Sequence, residues 1–311
     1  MTKMQGVYTA IVTPFNSLNQ LDEEGLRRNL RFQLDCGIDG IVALGTTGEC
    51  PTLTKTEKER IVQICIEEIK GKVPLIVGTG SYSTEQTIEN TLIAEHSGAD
   101  MALIVTPYYN KPPQEGIFHH FKSTAEATKL PIIVYNHMGR TGQNIQTETL
   151  MRLADIPSII AVKECSGNIT QMSDVIEKIA MHRHDFSVLS GDDSILLPFL
   201  SIGGDGAISV ISNLLPKQIK TLVQAALEGN YMVAREMHYR LAPLFRTLFI
   251  ETNPIPIKAA MSLYHMASGS CRSPLCDLLP ENKKLLAQAL KEAQERYGFL
   301  SAEELLLCAA Y

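Results

Sequence analysis

Eight short apolar runs alternate with amphipathic stretches over the first 228 residues of this chain. Most of the runs lack the apolar–polar alternation of a strand with one solvated face, so they are typical of parallel strands covered by helices on both sides. The alternation favours a (β/α)8 barrel; the alternative, a doubly wound open sheet, would carry a G-x-G-x-x-G turn after its first strand, and none is present. The runs cover residues 7–12, 40–44, 75–77, 102–105, 132–135, 159–163, 188–190 and 207–210.

Beyond residue 230 the strand pattern stops and only helical periodicity remains. We predict helices over residues 232–249, 256–266 and 281–296, with a further turn or two over 302–310. No low-complexity linker separates this part from the barrel, so we expect the two to pack together. The predicted organisation is a catalytic (β/α)8 barrel over residues 1–228 and a C-terminal helical region over residues 229–311.

The composition narrows the choice of partners. A formal net charge of -6 and a pI of about 5.8 offer no basic face to a nucleic acid. No apolar span approaches the roughly 20 residues of a membrane helix, and the first residues lack the apolar core of a signal peptide. The 7 cysteines have neither a disulfide-framework nor a zinc-site spacing. We therefore expect a cytoplasmic protein with free thiols that binds neither membrane nor nucleic acid.

Lys163 ends the sixth apolar run and directly precedes Glu164. An ammonium group at such a place either reaches water at the strand end or loses solvation, which lowers its pKa. A partly neutral lysine amine can attack a carbonyl carbon and form a Schiff base. Lys163 is therefore the first candidate nucleophile, and an inert strand-end lysine is the alternative.

Other polar residues follow the runs at the end where barrel enzymes build their active sites. Gly45-Thr46-Thr47-Gly48-Glu49 combines backbone N–H groups with two hydroxyls, which suits a carboxylate, although an ordinary glycine turn is equally compatible. Tyr135 ends the fifth run, where a phenol can transfer protons. Arg140, in the next loop, can hold a carboxylate through two N–H donors, although a surface ion pair is the commoner use of such a residue.

Several polar groups do not suggest a site. Gly191-Asp192-Asp193 is predicted to be a helix N-cap rather than a set of metal ligands. His182-Arg183-His184 has the composition of solvated surface, and the adjacent Tyr108 and Tyr109 are weak signals in isolation. We expect neither a metal nor an organic cofactor.

Five motifs together resemble the pyruvate-dependent Schiff-base aldolases, and most closely their dihydrodipicolinate synthase family. The resemblance to this family extends from near Gly6 to about Asn213 and includes the motif that begins at Asn253. We find little resemblance beyond Met266. The motifs are Gly45-Thr46-Thr47-Gly48-Glu49, Thr106-Pro107-Tyr108-Tyr109-Asn110, Tyr135-Asn136 with Gly139-Arg140-Thr141-Gly142, Val162-Lys163-Glu164, and Asn253-Pro254-Ile255-Pro256.

The resemblance implies condensation of pyruvate with L-aspartate 4-semialdehyde to 4-hydroxy-tetrahydrodipicolinate, the first committed step toward diaminopimelate and lysine. It implies that Lys163 forms the imine with pyruvate and that Thr46 and Thr47 hold the pyruvate carboxylate. Tyr135 would transfer protons, relayed through Thr46 to Tyr109 of a neighbouring subunit.

The same resemblance assigns the semialdehyde carboxylate to Arg140 and places the backbones of Gly191 and Ile208 on the pocket wall. It further implies a homotetramer, arranged as a dimer of dimers.

Two departures from the family pattern concern substrate binding and regulation. His137 and Met138 stand where the family usually has Val-Pro, and the loss of the proline restores a backbone N–H near Arg140. Where lysine-inhibited members bind lysine, this chain has Lys58, Tyr82 and Gln86, with Lys55 nearby. A cation replaces a neutral group there and the glutamate is absent, so we predict weak or no inhibition by lysine.

Two other functions remain open at this point. One is a pyruvate-forming lyase that cleaves N-acetylneuraminate or a 2-keto-3-deoxy sugar acid; such enzymes are not expected to carry the Gly139-Arg140-Thr141-Gly142 element. The other, of a different class, is a non-catalytic sensor that only binds a keto acid.

Overall fold

The structure, a computed structural model, describes residues 3–299. Eight parallel strands close into a barrel in which each strand pairs with its sequence neighbours and β8 pairs with β1. The predicted (β/α)8 barrel is thus confirmed, and the open sheet is excluded. The strands are β1 Gly6–Ala10, β2 Gly40–Ala43, β3 Leu75–Gly78, β4 Met101–Val105, β5 Ile132–Asn136, β6 Ile159–Glu164, β7 Ser187–Ser190 and β8 Gly206–Ser209.

Helices follow the strands and cover the outside of the barrel. After β7 the chain forms a 3-10 turn, Asp193–Ile195, which is continued by the short α-helix α8. The helices are α1 Glu23–Asp35, α2 Lys55–Ile69, α3 Thr84–Ser97, α4 Gln114–Ala127, α5 Met138–Thr141, α6 Thr147–Ala154, α7 Ile169–Val175, α8 Leu196–Ser201, α9 Pro216–Leu227, α10 Tyr231–Thr247, α11 Ile255–Leu263 and α12 Pro280–Tyr297.

Local capping sets where these helices begin and end. Thr54 and Glu57 form a capping box at the start of α2, in which each side chain bonds the backbone N–H of the other residue. Gly98 ends α3 with a left-handed backbone, φ 94°, which glycine adopts without steric cost. These signals are local in sequence, which is why the helix positions are predictable.

Two apolar cores form because successive strand residues point to opposite faces. The outer core lies between strands and helices, and the smaller inner core fills the barrel with side chains such as Tyr8, Leu103 and Ile208. The pairing of β5 with β6 shifts register between Ile132 and Ile133. Beyond this irregularity Tyr135 pairs with Lys163, so the register decides which residues of β6 meet that tyrosine.

The C-terminal helices pack on the barrel. Leu241 and Leu244 of α10, Met261 of α11 and Leu286 of α12 are fully buried and belong to the same outer core as the strands. The division of the chain at residue 228 stays a prediction, and the helix predicted over 302–310 lies outside the described residues. Within residues 3–299, no helix combines the length and apolarity needed to span a bilayer.

Candidate active site

Lys163 and Tyr135 form the centre of the site at the carboxyl end of the barrel. The Nζ atom of Lys163 lies 4.3 Å from the centroid of the Tyr135 ring, and each side chain is 6% exposed. Burial lowers the pKa of the Lys163 ammonium below its ordinary value and raises the pKa of the Tyr135 phenol well above its own. Lys163 is therefore a desolvated amine. The alternative, an inert lysine whose ammonium reaches water at the strand end, does not fit this burial.

Gly191 leaves the room that the lysine side chain occupies. A Cβ atom built on Gly191 would lie 2.5 Å from Cε of Lys163 and 2.1 Å from Sγ of Cys165. No larger residue fits there without displacing the amine. Ile208, on β8, is fully buried in the inner core.

The loop over residues 45–49, called the threonine loop below, lies beside Tyr135. Two backbone hydrogen bonds tighten it, from Gly48 N to Gly45 O and from Glu49 N to Thr46 O, both 3.1 Å. Thr46 lines the same cavity as Tyr135, and its side chain partly offsets the rise in the phenol pKa that burial causes. Thr47 is buried, and its Oγ1 accepts a hydrogen bond of 3.0 Å from Nδ2 of Asn253. The loop thus aligns two hydroxyls near the phenol.

Arg140 lies on the single turn α5, directly after β5. Its Nη2 donates to the backbone oxygen of Asn253 over 3.0 Å, instead of pairing with a surface carboxylate. Arg140 shares a cavity of about 700 Å³ with Thr46 and Tyr135. The structure therefore brings the guanidinium to the same cavity as the phenol.

His137 packs against the central phenol. The His137 and Tyr135 ring centroids are 5.7 Å apart with an interplanar angle of 64°. Burial, with the nearby cations Arg140 and Lys163, lowers the pKa of His137 to about 4. A neutral imidazole therefore lines this side of Tyr135 at neutral pH.

Tyr109 is the predicted site residue that this chain does not bring to the others. Its side chain is 92% exposed, on a loop residue with φ 70°, whereas its neighbour Tyr108 lines the cavity. Within one chain, Tyr109 is therefore not placed to take part in the proton relay that the resemblance implies from Tyr135 through Thr46.

Sequence reasoning missed the part played by two residues. Asn253 contacts both Arg140 and Thr47; its motif was noticed, but nothing in its pattern indicates these contacts. Asp193 is 2% exposed, and its Oδ2 accepts the N–H groups of Val210 and Ile211 at 2.9 and 3.0 Å.

The helix-cap prediction is therefore confirmed for Asp192, whose Oδ1 accepts from Ser194 N at 2.9 Å, and is wrong for Asp193. The prediction of solvated surface is also wrong for Arg183, whose Nη1 donates to the backbone oxygens of Ala154, Ile156 and Ile159 at the start of β6.

This arrangement suits Schiff-base chemistry. A desolvated amine can attack a carbonyl carbon, a phenol that shares a cavity with a hydroxyl group can move protons, and a guanidinium can bind an anionic substrate. Among the described residues, no group of three or more His, Cys, Asp or Glu side chains converges as metal ligands do.

Known proteins resemble this chain along nearly its whole length. The profile of the dihydrodipicolinate synthetase family matches residues 3–293. A 4-hydroxy-tetrahydrodipicolinate synthase from Protochlamydia amoebophila is 55% identical over 294 residues, which cover 94% of this chain and 98% of that protein.

Solved structures agree in fold. The crystal structure of dihydrodipicolinate synthase from Thermotoga maritima superposes on this chain with a TM-score of 0.91 at 44% identity. The aligned part covers 93% of this chain and 98% of the Thermotoga chain. That of the enzyme from Cyanidioschyzon merolae with lysine bound has a TM-score of 0.91 at 38% identity, covering 94% and 99%.

Proposed function

Since the chain belongs to the dihydrodipicolinate synthetase family, we propose that it condenses pyruvate with L-aspartate 4-semialdehyde. The product is 4-hydroxy-tetrahydrodipicolinate, and the reaction serves diaminopimelate and lysine biosynthesis. The observation that carries the assignment is the desolvated amine of Lys163 beside the Tyr135 phenol, with Arg140 on the same side of the barrel. The protein is a lyase of the class I aldolase type.

Lys163 supplies the nucleophile. Its lowered pKa increases the share of neutral amine, which attacks the keto carbon of pyruvate and releases water to form the imine. Thr46 and Thr47 hold the pyruvate carboxylate through their hydroxyls and the backbone N–H groups of the threonine loop. Gly191 and Ile208 line the pocket around the bound keto acid.

Tyr135 moves the protons of these steps. Its phenol shares the cavity with Thr46, whose hydroxyl is the proposed partner in proton transfer. Loss of a proton from the imine methyl group gives the enamine, whose carbon attacks the aldehyde. The relay continues to Tyr109 of a neighbouring subunit, and the 92% exposure of this side chain in the single chain supports that arrangement.

Arg140 selects the second substrate. A guanidinium can bind the semialdehyde carboxylate with two parallel N–H donors. In the sugar acids named above the carboxylate belongs to the pyruvate half, and the aldehyde half has none for Arg140 to bind. The pyruvate-forming lyases of N-acetylneuraminate or a 2-keto-3-deoxy sugar acid are therefore not favoured. The complete set of reacting groups likewise does not favour a keto-acid sensor. We place the enzyme in the cytoplasm as a homotetramer, a dimer of dimers, without a cofactor.

The decisive experiment is turnover of pyruvate with aspartate semialdehyde, coupled to the downstream reductase. We expect robust turnover and a borohydride-trapped pyruvate adduct on Lys163. An adduct without turnover would point to a different aldehyde and to the sugar-acid lyase. Failure to form any adduct would leave the non-catalytic keto-acid sensor as the remaining hypothesis.

A further inference from the structure

A second buried lysine lies behind the threonine loop and takes no part in the chemistry above. Nζ of Lys258, on α11, is 2.6 Å from Oε1 of Glu49, and the two side chains are 2% and 0% exposed. The ammonium also donates to the backbone oxygens of Thr13, at 3.2 Å, and Ser270, at 3.0 Å. All three of its hydrogens are thus used, so the position of Lys258 is fully determined.

The carboxylate of Glu49 is held equally firmly. Its second oxygen, Oε2, accepts the backbone N–H of Arg272 at 2.8 Å. Glu49 is the last residue of the threonine loop, two positions after Thr47, and has a left-handed backbone with φ 52°. A non-glycine residue adopts this conformation only where its surroundings favour it. Here the buried contacts of the carboxylate supply that constraint.

The threonine loop is therefore attached at two points to one end of α11. Asn253, just before α11, donates to Thr47, and Lys258, within α11, donates to Glu49. The helix spans Ile255–Leu263, so both contacts come from its first turn or the residues preceding it. A displacement of either contact would move the hydroxyls of the loop relative to Lys163.

Stability alone does not account for a buried ion pair. Desolvating both charges costs about as much as their attraction returns, and apolar replacements of such pairs are often neutral or stabilising. What an ion pair with charged hydrogen bonds supplies is direction, because donors and acceptors must meet at fixed distances and angles. The effect of this pair is therefore geometric.

We propose that Glu49 and Lys258 are positioning residues for the pyruvate site. The pair holds the threonine loop where Thr46 and Thr47 meet the pyruvate carboxylate while its keto carbon faces Lys163. The inference rests on the proposed function, because it takes pyruvate as the first substrate. A misplacement of about 1 Å in such a site can lower the rate by on the order of 100-fold.

The test is the double variant Glu49→Gln/Lys258→Met, which removes both charges and leaves none unpaired. We expect the KM for pyruvate to rise about tenfold or more, and the KM for the semialdehyde to change less than about threefold. The selectivity follows because Glu49 belongs to the same loop as Thr46 and Thr47, whereas Arg140 is held by the backbone oxygen of Asn253. A folded double variant with an unchanged KM for pyruvate would overturn the proposal.

A conservative variant keeps the test valid if the double variant does not fold. Glu49→Asp keeps both charges but shortens the carboxylate arm by one methylene, and a smaller, pyruvate-selective rise in KM is expected. Lys258→Met alone is not used, since it would leave Glu49 as an unpaired buried charge and destabilise the fold. A folded Glu49→Asp variant with wild-type constants would also refute the positioning role.

A matched control removes another ion pair that joins two segments far apart in sequence. Arg60 of α2 donates to Glu23 of α1, with Nε 2.9 Å from Oε1, at a partly exposed site. Glu23→Gln/Arg60→Met is expected to leave both KM values unchanged. An equal rise of the KM for pyruvate in this control would show that any lost ion pair produces the effect.

The two proposals fail in different ways. If the wild-type protein traps pyruvate with borohydride but does not condense it with the semialdehyde, the proposed function fails. The positioning role of Glu49 and Lys258 can then still be tested by the pyruvate concentration that gives half-maximal trapping. This concentration should be higher in the double variant than in the wild type. If the wild type condenses both substrates and the double variant half-saturates at the wild-type concentration, only the positioning role is lost.

Discussion

The guanidinium of Arg140 donates a hydrogen bond to the backbone oxygen of Asn253 over 3.0 Å. Arg140 follows the fifth strand of the barrel, whereas Asn253 lies two residues before the first residue of α11. The side chain of Asn253 also donates to Thr47. The C-terminal helical region therefore takes part in building the site as well as packing on the barrel.

Replacing Lys163 with alanine should abolish formation of the pyruvate adduct. The second buried lysine, Lys258, is bonded to Glu49 and to the backbone oxygens of Thr13 and Ser270, so we do not expect it to replace Lys163 as the nucleophile. Mass spectrometry after borohydride reduction in the presence of pyruvate gives the answer. Lys217→Ala, at an exposed position on α9, should trap pyruvate as the wild type does. A full adduct on Lys163→Ala would show that another residue is the nucleophile.

The variant Tyr135→Phe should lower kcat by about 100-fold or more, in the range found for loss of a general acid–base group. The ring stays in place beside Lys163, but the hydroxyl that carries the proton is lost. Steady-state kinetics with both substrates measures the effect. The control is Tyr8→Phe, a buried tyrosine of the inner core near Asp39 and Asp205 at the opposite end of the barrel. Equal losses in the two variants would argue against a proton-transfer role for Tyr135.

Removing the guanidinium should affect the two substrates unequally. Arg140→Ala is expected to raise the KM for the semialdehyde about tenfold or more, with a much smaller change for pyruvate. Arg140→Lys keeps the charge but loses the two-pronged donor, so only partial recovery is expected. Similar changes in both KM values would contradict a selective role in binding the second substrate.

Lysine should inhibit this enzyme weakly or not at all. Lys55, Lys58 and Gln86 line the cavity that also contains Thr46, and the Lys55 ammonium lies 3.2 Å from Glu89. Because Glu89 pairs with Lys55, it is the cation of Lys58 that disfavours the amine groups of a bound lysine. Initial rates with added lysine measure the inhibition, and Lys58→His should increase it. Half-inhibition of the unaltered enzyme below about 1 mM lysine, a binding free energy of about -4 kcal/mol, would refute the prediction.

Acid should destabilise the fold through His120. Its side chain is 4% exposed, with Nε2 buried and unbonded, and burial lowers its pKa from 6.5 to about 4. The His120 side chain binds a proton more readily in the unfolded chain than in the folded one. Acid therefore favours unfolding: stability is unaffected by His120 above pH 6.5 and decreases as the pH falls toward 4. The free energy of unfolding should drop by about 1 kcal/mol per pH unit in this window from His120 alone.

Denaturant unfolding between pH 7 and pH 4 measures this slope. His120→Gln should show a shallower dependence, while the exposed His119→Gln should match the wild type. Parallel curves for the wild type and His120→Gln would show that His120 titrates normally in the folded protein.

Much of the fold is predictable because its signals are local. Each strand end falls within two residues of its predicted position, since a buried parallel strand appears as a continuous apolar run. The helix ends follow caps such as Thr54 with Glu57. Residues at strand ends, Lys163 and Tyr135 among them, are equally visible, because a parallel barrel places all such ends on one face.

The sequence by itself determined the order of strands and helices, the barrel, and the placement at the strand ends of the residues proposed to react. Only the tertiary structure decided that Lys163 is desolvated, that Arg140 rests on Asn253, and that Glu49 pairs with Lys258 across 209 positions of the chain. The physical reason is that hydrophobic periodicity and capping act between neighbours in sequence. Burial and directed hydrogen bonds depend instead on which distant residues the closed barrel brings within about 3 Å of each other.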